Sequence, residues 1–197
     1  MTERKLQDRF NDLEERLRSV ESLSIYGISR DLKFFIFDYF AKDELLVRDE
    51  VLKLLRLNPD IIEMNLYDLV LGVFSKEGYL DNIFSLEKTQ PLHIMLEQVL
   101  FPLLAIDEQN SLFFQYFKNL PDNGKKIILI TGVGSVFPII RGHMVLNELH
   151  SIFSKNSVVM FYPGKYENKH KMSMSLFDKI EDTNYYRGFP IVEREGK

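Results

Sequence analysis

Apolar residues near the start of the chain recur at Leu6, Phe10, Leu13, Leu17 and Val20, with charged residues on the remaining faces. Alternating steps of four and three keep these side chains on one stripe and predict an amphipathic helix over residues 1–20. Its seam suits either docking on the rest of the chain or pairing with a partner helix. The run from Asp31 to Phe40, DLKFFIFDYF, is aromatic and β-branched with a polar end at Asp38, the pattern of a buried strand. From Lys42 to Leu57 the residues Leu45, Leu46, Asp49, Leu52, Leu55 and Arg56 follow a helical repeat that starts near Asp43 and stops at Asn58-Pro59. A short strand over residues 60–64 follows, and strand, helix, strand within about thirty residues predicts a parallel crossover.

Residues 66–120 read as helix throughout, interrupted near Gly78, at Thr89 to Pro91 and at Asp107 to Asn110. This is a helical insertion. A second strand–turn–helix unit begins at Lys125: KKIILI is a buried strand, Thr131 to Ser135 a Gly-containing turn, and Val136 to Phe153 a helix. In that helix Ser135 is the expected cap, and Pro138 sits in the first turn, where its missing N–H costs nothing. Residues 156–162 form the next strand, closed by Pro163 and Gly164. A polar loop from Lys165 to Lys171 and a last strand from Tyr186 to Val192 complete the pattern. The expected architecture is a single α/β domain over residues 1–197, three-layered, with a mostly parallel sheet.

Charge and composition narrow the function classes. Twenty-five Lys+Arg against 29 Asp+Glu give a net charge of −4, which lends no support to strong DNA binding through bulk charge. The absence of cysteine removes disulfides, thiolate metal sites and cysteine nucleophiles, and fits a reducing compartment. A charged N-terminal stretch argues against a signal peptide. The densest apolar run, residues 92–106, holds His93, Glu97, Gln98 and Pro102, so no membrane span is expected and the localisation expected is cytoplasmic. Sixteen Phe and nine Tyr leave aromatic mass for a partner surface as well as a core.

In a parallel sheet the ligand crevice lies beyond the carboxyl ends of the strands. Those ends carry Asp38, then Gly132, Gly134 and Ser135, then Tyr162-Pro163-Gly164. A Gly turn before a helix can cradle a phosphate, with Asp38 and Arg141 nearby, or it can be only a tight turn. The fingerprint is incomplete: Phe137 stands where a dinucleotide loop wants a small residue, and no Gly-Lys-Ser/Thr triplet occurs. His143, Asn147 and His150 share a helix face without metal-site spacing, and no GxSxG elbow surrounds Ser135. The expectation is therefore no catalytic residue, no cofactor and no metal. Tyr185, Tyr186 and Arg187 stand together before the last strand, the composition of an interface hot spot, although the tyrosines could equally pack on the sheet edge. With Leu6, Phe10, Leu13 and Leu17 they are the candidate partner-binding residues.

The ordered set of these motifs resembles the BrxB family, a small component of BREX phage-defence systems. The resemblance rests on Thr131-Gly132-Val133-Gly134-Ser135-Val136-Phe137-Pro138 with Ile139-Ile140-Arg141, and on Phe161-Tyr162-Pro163-Gly164 with Tyr166. Ser175-Leu176-Phe177, Tyr185-Tyr186-Arg187-Gly188-Phe189, Phe35-Ile36-Phe37-Asp38-Tyr39 and Glu63-Met64-Asn65-Leu66-Tyr67 extend it over nearly the whole chain. The chain departs from the family pattern at Glu167 to Met172, where a short Gly-containing turn is usual, and at Gly142. The resemblance implies a role in restricting phage beside a PglZ-type alkaline-phosphatase-fold protein, a large ATPase and an adenine methyltransferase. It implies no catalytic activity, so the expected function is that of an interaction component bridging or supporting these partners. A degenerate nucleotide- or phosphate-binding domain is the alternative.

Overall fold

The computed structural model describes residues 5–18, 34–104, 111–167, 173–182 and 188–194. Five strands form a parallel sheet in the order β2-β3-β4-β1-β7: β1 (Phe34–Tyr39), β2 (Ile61–Asn65), β3 (Ile127–Thr131), β4 (Ser157–Glu167) and β7 (Phe189–Pro190). Alternation within each strand sends side chains to two separate cores. Phe34 and Ile36, Ile128 and Ile130, Val158 and Met160 enter one of them. Phe35 and Phe37, Ile127 and Leu129, Val159 and Phe161 enter the other. Both faces are therefore covered, as an all-parallel sheet requires, and the three-layer α/β expectation holds.

The second of these faces is covered by α1 (Leu6–Arg18) and α2 (Glu44–Leu57). Phe10 of α1 meets Phe37 at 4.9 Å and Phe161 at 6.2 Å between ring centroids, and Phe37 meets Phe161 at 5.3 Å. The opposite face takes α3 (Leu66–Lys76), α4 (Leu80–Glu87), α5 (residues 92–104), α6 (Leu112–Lys118) and α7 (Gly142–Ile152). Within α5 the stretch Met95–Leu100 is π-helical. The helical insertion expected over residues 66–120 is thus α3 to α6, and it is packed into this layer by Phe113, Phe114 and Phe117.

Three boundaries differ from the sequence reading. β4 does not stop at Pro163-Gly164 but runs on to Glu167, leaves the sheet and pairs antiparallel with β5 (Ser173–Leu176), which pairs with β6 (Ile180–Asp182). Gly164 permits this close approach, since a Cβ there would lie 2.0 Å from the Ser175 carbonyl oxygen. The expected polar loop is therefore partly a strand arm. Secondly, the helix expected from Val136 begins only at Gly142. Residues 133–140 form turns containing a cis Phe137-Pro138 bond, and a proline disfavours helical backbone at the residue before it. Ser135 is accordingly an exposed turn residue and Arg141 occupies the cap position. Thirdly, the last strand is only Phe189–Pro190 within the described residues, parallel to β1.

The carboxyl end of the sheet as candidate functional site

Asp38, near the end of β1, is buried and surrounded by donors. Its Oδ1 accepts from Arg9 Nη2 at 2.9 Å, its Oδ2 from the Tyr166 amide at 3.3 Å, and its carbonyl from Arg9 Nη1 at 2.6 Å. Arg9 also donates to the Val192 carbonyl at 3.1 Å and stacks over the Phe37 ring at 4.4 Å. On the other side Arg194 Nη1 lies 3.9 Å from Asp38 Oδ2 and bonds the Gly164 carbonyl and Asp178, both at 3.1 Å, with its guanidinium 3.5 Å over Phe40. Burial pushes the Asp38 carboxyl above its ordinary value, outweighing the opposite pull of Arg9, the Tyr166 amide and Arg194. The group is a knot between α1, β1, the β4 arm and the C-terminal segment.

The neighbouring strand ends are also engaged. The Tyr39 hydroxyl donates to Glu44 at 2.6 Å, and burial with that carboxylate raises its pKa, keeping the phenol protonated. Arg48 bonds the same Glu44 at 2.8 Å and reaches Ser135 Oγ at 3.3 Å. Asn65, at the end of β2, caps α3 by accepting from the Tyr67 and Asp68 amides. A Cβ on Gly132, whose φ is +72°, would stand 2.5 Å from that same Asn65 Oδ1. Within the Gly turn the Ser135 and Val136 amides donate to the Gly132 carbonyl. Gly134 is covered by Phe177 and Pro163, 2.8 and 3.0 Å from where a Cβ would be.

The five phosphate-site candidates are therefore not gathered around one hollow. Asp38 is committed to Arg9, Gly132 abuts Asn65, Gly134 lies under Phe177, and Ser135 meets Arg48. Arg141 instead borders a cleft of about 210 Å³ lined by Val133, Phe137, Ile140, Tyr162 and Leu176, with Glu181 also contributing. The turn no longer stands at a helix N-terminus, which removes the dipole argument that motivated an anion there. His150 packs against Phe34 at 3.7 Å between ring centroids. Among the described residues no group of three or more His, Cys, Asp or Glu side chains is placed to hold a metal, and no helix is long and apolar enough to cross a membrane.

The partner-binding candidates divide. Phe10, Leu13 and Leu17 are buried in the chain's own core and Leu6 packs on it partly buried, so this seam closes the domain instead of being presented to a partner. The physical reason is the aromatic layer formed by Phe37 and Phe161, which needs an apolar cover on that face. Tyr185, Tyr186 and Arg187 lie outside the described residues. Sequence reasoning missed Arg9 and Arg194, and it singled out Tyr166 only within the family resemblance. Arg9 was detectable, because it falls three residues after Leu6 and four before Leu13, on the seam itself, and a charge there must meet a buried partner.

The strand ends thus define an α/β protein with a buried ion pair at the end of β1 and a cleft beside Val133 and Tyr162. The family model described as "BREX protein BrxB" matches residues 62–191. A BREX protein BrxB of Bacillus cereus (strain H3081.97) is 32% identical over 196 residues, covering 97% of this chain and 100% of that protein. A second BREX protein BrxB, of Escherichia coli O9:H4 (strain HS), is 26% identical over 194 residues, covering 97% and 94% respectively. The chain belongs to the BrxB family and is a component of a BREX phage-defence system. No solved structure matches it.

Proposed function

We propose that the chain is a non-catalytic interaction component of its defence assembly, bridging or supporting a PglZ-type alkaline-phosphatase-fold protein and a large ATPase, with the methyltransferase as a further candidate partner. The observation that carries this reading is the occupation of the sheet's carboxyl end. Where a parallel-sheet enzyme keeps its reactive groups available, Asp38 is locked to Arg9 and the Gly turn is covered by Phe177 and Pro163. With the seam of α1 spent on the core, the partner contacts fall to the Tyr185-Tyr186-Arg187 segment. Tagged protein expressed with its operon is expected to bring down the PglZ-type protein and the ATPase. Recovery of the chain alone, in salt that preserves the other contacts of the assembly, overturns the reading. Arg187→Glu is expected to weaken this capture while leaving the melting temperature unchanged.

Phosphate or nucleotide binding retains one supporting observation, the cleft bordered by Arg141. A ligand at a hundred times its dissociation constant stabilises the folded state by about 2.7 kcal/mol. Thermal melts with ATP, ADP, GTP and inorganic phosphate therefore separate the two readings, and the interaction role predicts no shift.

A further inference from the structure

The helix α2 turns the wrong residues inward for the repeat seen in its sequence. Val47, Val51 and Leu54 are buried against the sheet, whereas Leu45, Leu46, Leu52 and Leu57 are 73%, 58%, 46% and 63% exposed. Four exposed leucines on one fourteen-residue helix are more than scattered surface apolar residues. The charges on this outward face are also unevenly used. Arg48 pairs with Glu44 and Lys53 with Glu50 within the helix. Asp49 and Arg56 are exposed, and among the described residues neither has an ion-pair partner. At 100° per residue both fall on the mid-line of the outward face, seven residues apart, with Leu45 and Leu52 on one side and Leu46 and Leu57 on the other.

The geometry points to a second copy of this chain as the occupant, its α2 lying antiparallel across the first. In a two-fold interface each contact occurs twice with the roles exchanged. An axis between Leu52 and Lys53 brings Asp49 of one copy level with Arg56 of the other, and Arg56 of the first level with Asp49 of the second. The four leucines of each copy then flank two symmetry-related ion pairs. A parallel pairing would set like charges together, so the opposite signs on the two sides of the axis select the antiparallel arrangement. One helix face is smaller than the ~800 Å² per partner of a standard interface. The dimer is therefore weak and concentration-dependent.

Sedimentation velocity and light scattering on the full chain over a concentration series test this. A reversible monomer–dimer equilibrium is expected. Leu52→Glu is expected to abolish it with an unchanged melting curve, since the side chain is outside the core. Asp49→Arg or Arg56→Asp alone is expected to raise the dissociation constant about tenfold or more, and the two together to restore dimerisation. A monomer at every soluble concentration overturns the proposal. So does a dimer indifferent to Leu52→Glu, or a charge swap that fails to restore what the single changes lost. If the wild type is monomeric and Leu52→Glu loses operon partners instead, the face belongs to another protein and the proposal likewise fails.

Discussion

Arg9 and Asp38 illustrate how a buried charge pair behaves at the scale of single residues. Both are almost fully buried, so each is tolerated only because the other is present. Removing one partner of such a pair costs about 3–5 kcal/mol, because the survivor is left uncompensated. Arg9→Met is expected to fall in that range in urea unfolding, shifting the midpoint at constant slope. Arg9→Met with Asp38→Leu should cost less than the sum of the single changes; full additivity would show that the pair is not energetically coupled. Because the folded pKa of Asp38 is raised, its contribution to stability is fully present below the unfolded value and declines as pH rises through the folded one.

Asp122 has the opposite sign. Its slight desolvation, which alone would raise the pKa, is outweighed by bonds from the Ser154, Lys155 and Asn156 amides and the Ser154 hydroxyl at 2.7–3.1 Å, so the pKa is lowered. Its contribution is present above the unfolded value of 3.8 and is lost as pH falls through the folded value. Asp122→Ala is expected to cost about 1 kcal/mol near neutral pH, the size of a lost helix cap at a solvent-accessible site. The difference in melting temperature from wild type should shrink in acid; a difference that stays constant across the titration would remove the carboxylate as its source.

At the scale of elements, α1 and α2 cover the same face of the sheet and answer oppositely to the same change. Leu13 of α1 is fully buried, so Leu13→Glu places an unpaired carboxylate in the aromatic layer and is expected to abolish cooperative melting. Leu52 of α2 points outward, and Leu52→Glu should stay within about ±0.5 kcal/mol in the monomer. Circular dichroism melts of the two variants side by side check this. Equal damage in both would show that α2 is packed more deeply than its exposed leucines indicate. The arm made by β4, β5 and β6 depends on Gly164 in another way, since the Ser175 backbone occupies the space of any side chain there.

Over the whole molecule, legibility in the sequence followed how local the determining contact is. The strands around Phe34, Ile128 and Val158 were readable because a strand buried on both faces is a continuous apolar run. The parallel crossovers and the helical insertion followed from the order of those runs. The β4 arm was hidden because Pro163-Gly164 looks like a terminus, and only a partner strand whose Leu176 pairs with Gly164 shows why glycine is there. The orientation of α2 was hidden because its leucines outnumber its valines, while the sheet accepts the valine stripe. The site was least legible of all. Asp38 was visible as a strand end, but its partners lie 29 residues earlier and 128 residues later, beyond any local pattern.

The same distances have a consequence during synthesis. Arg9 leaves the ribosome well before Val192, and its bond to the Val192 carbonyl spans 183 positions. Contacts so remote in sequence carry the greatest loop-closure cost. Until the chain is made as far as residue 192, α1 carries a guanidinium whose complete set of acceptors does not yet exist. Before that point α1 is held on the aromatic face by its apolar seam and by Asp38, and the bond to Val192 is the last tie added.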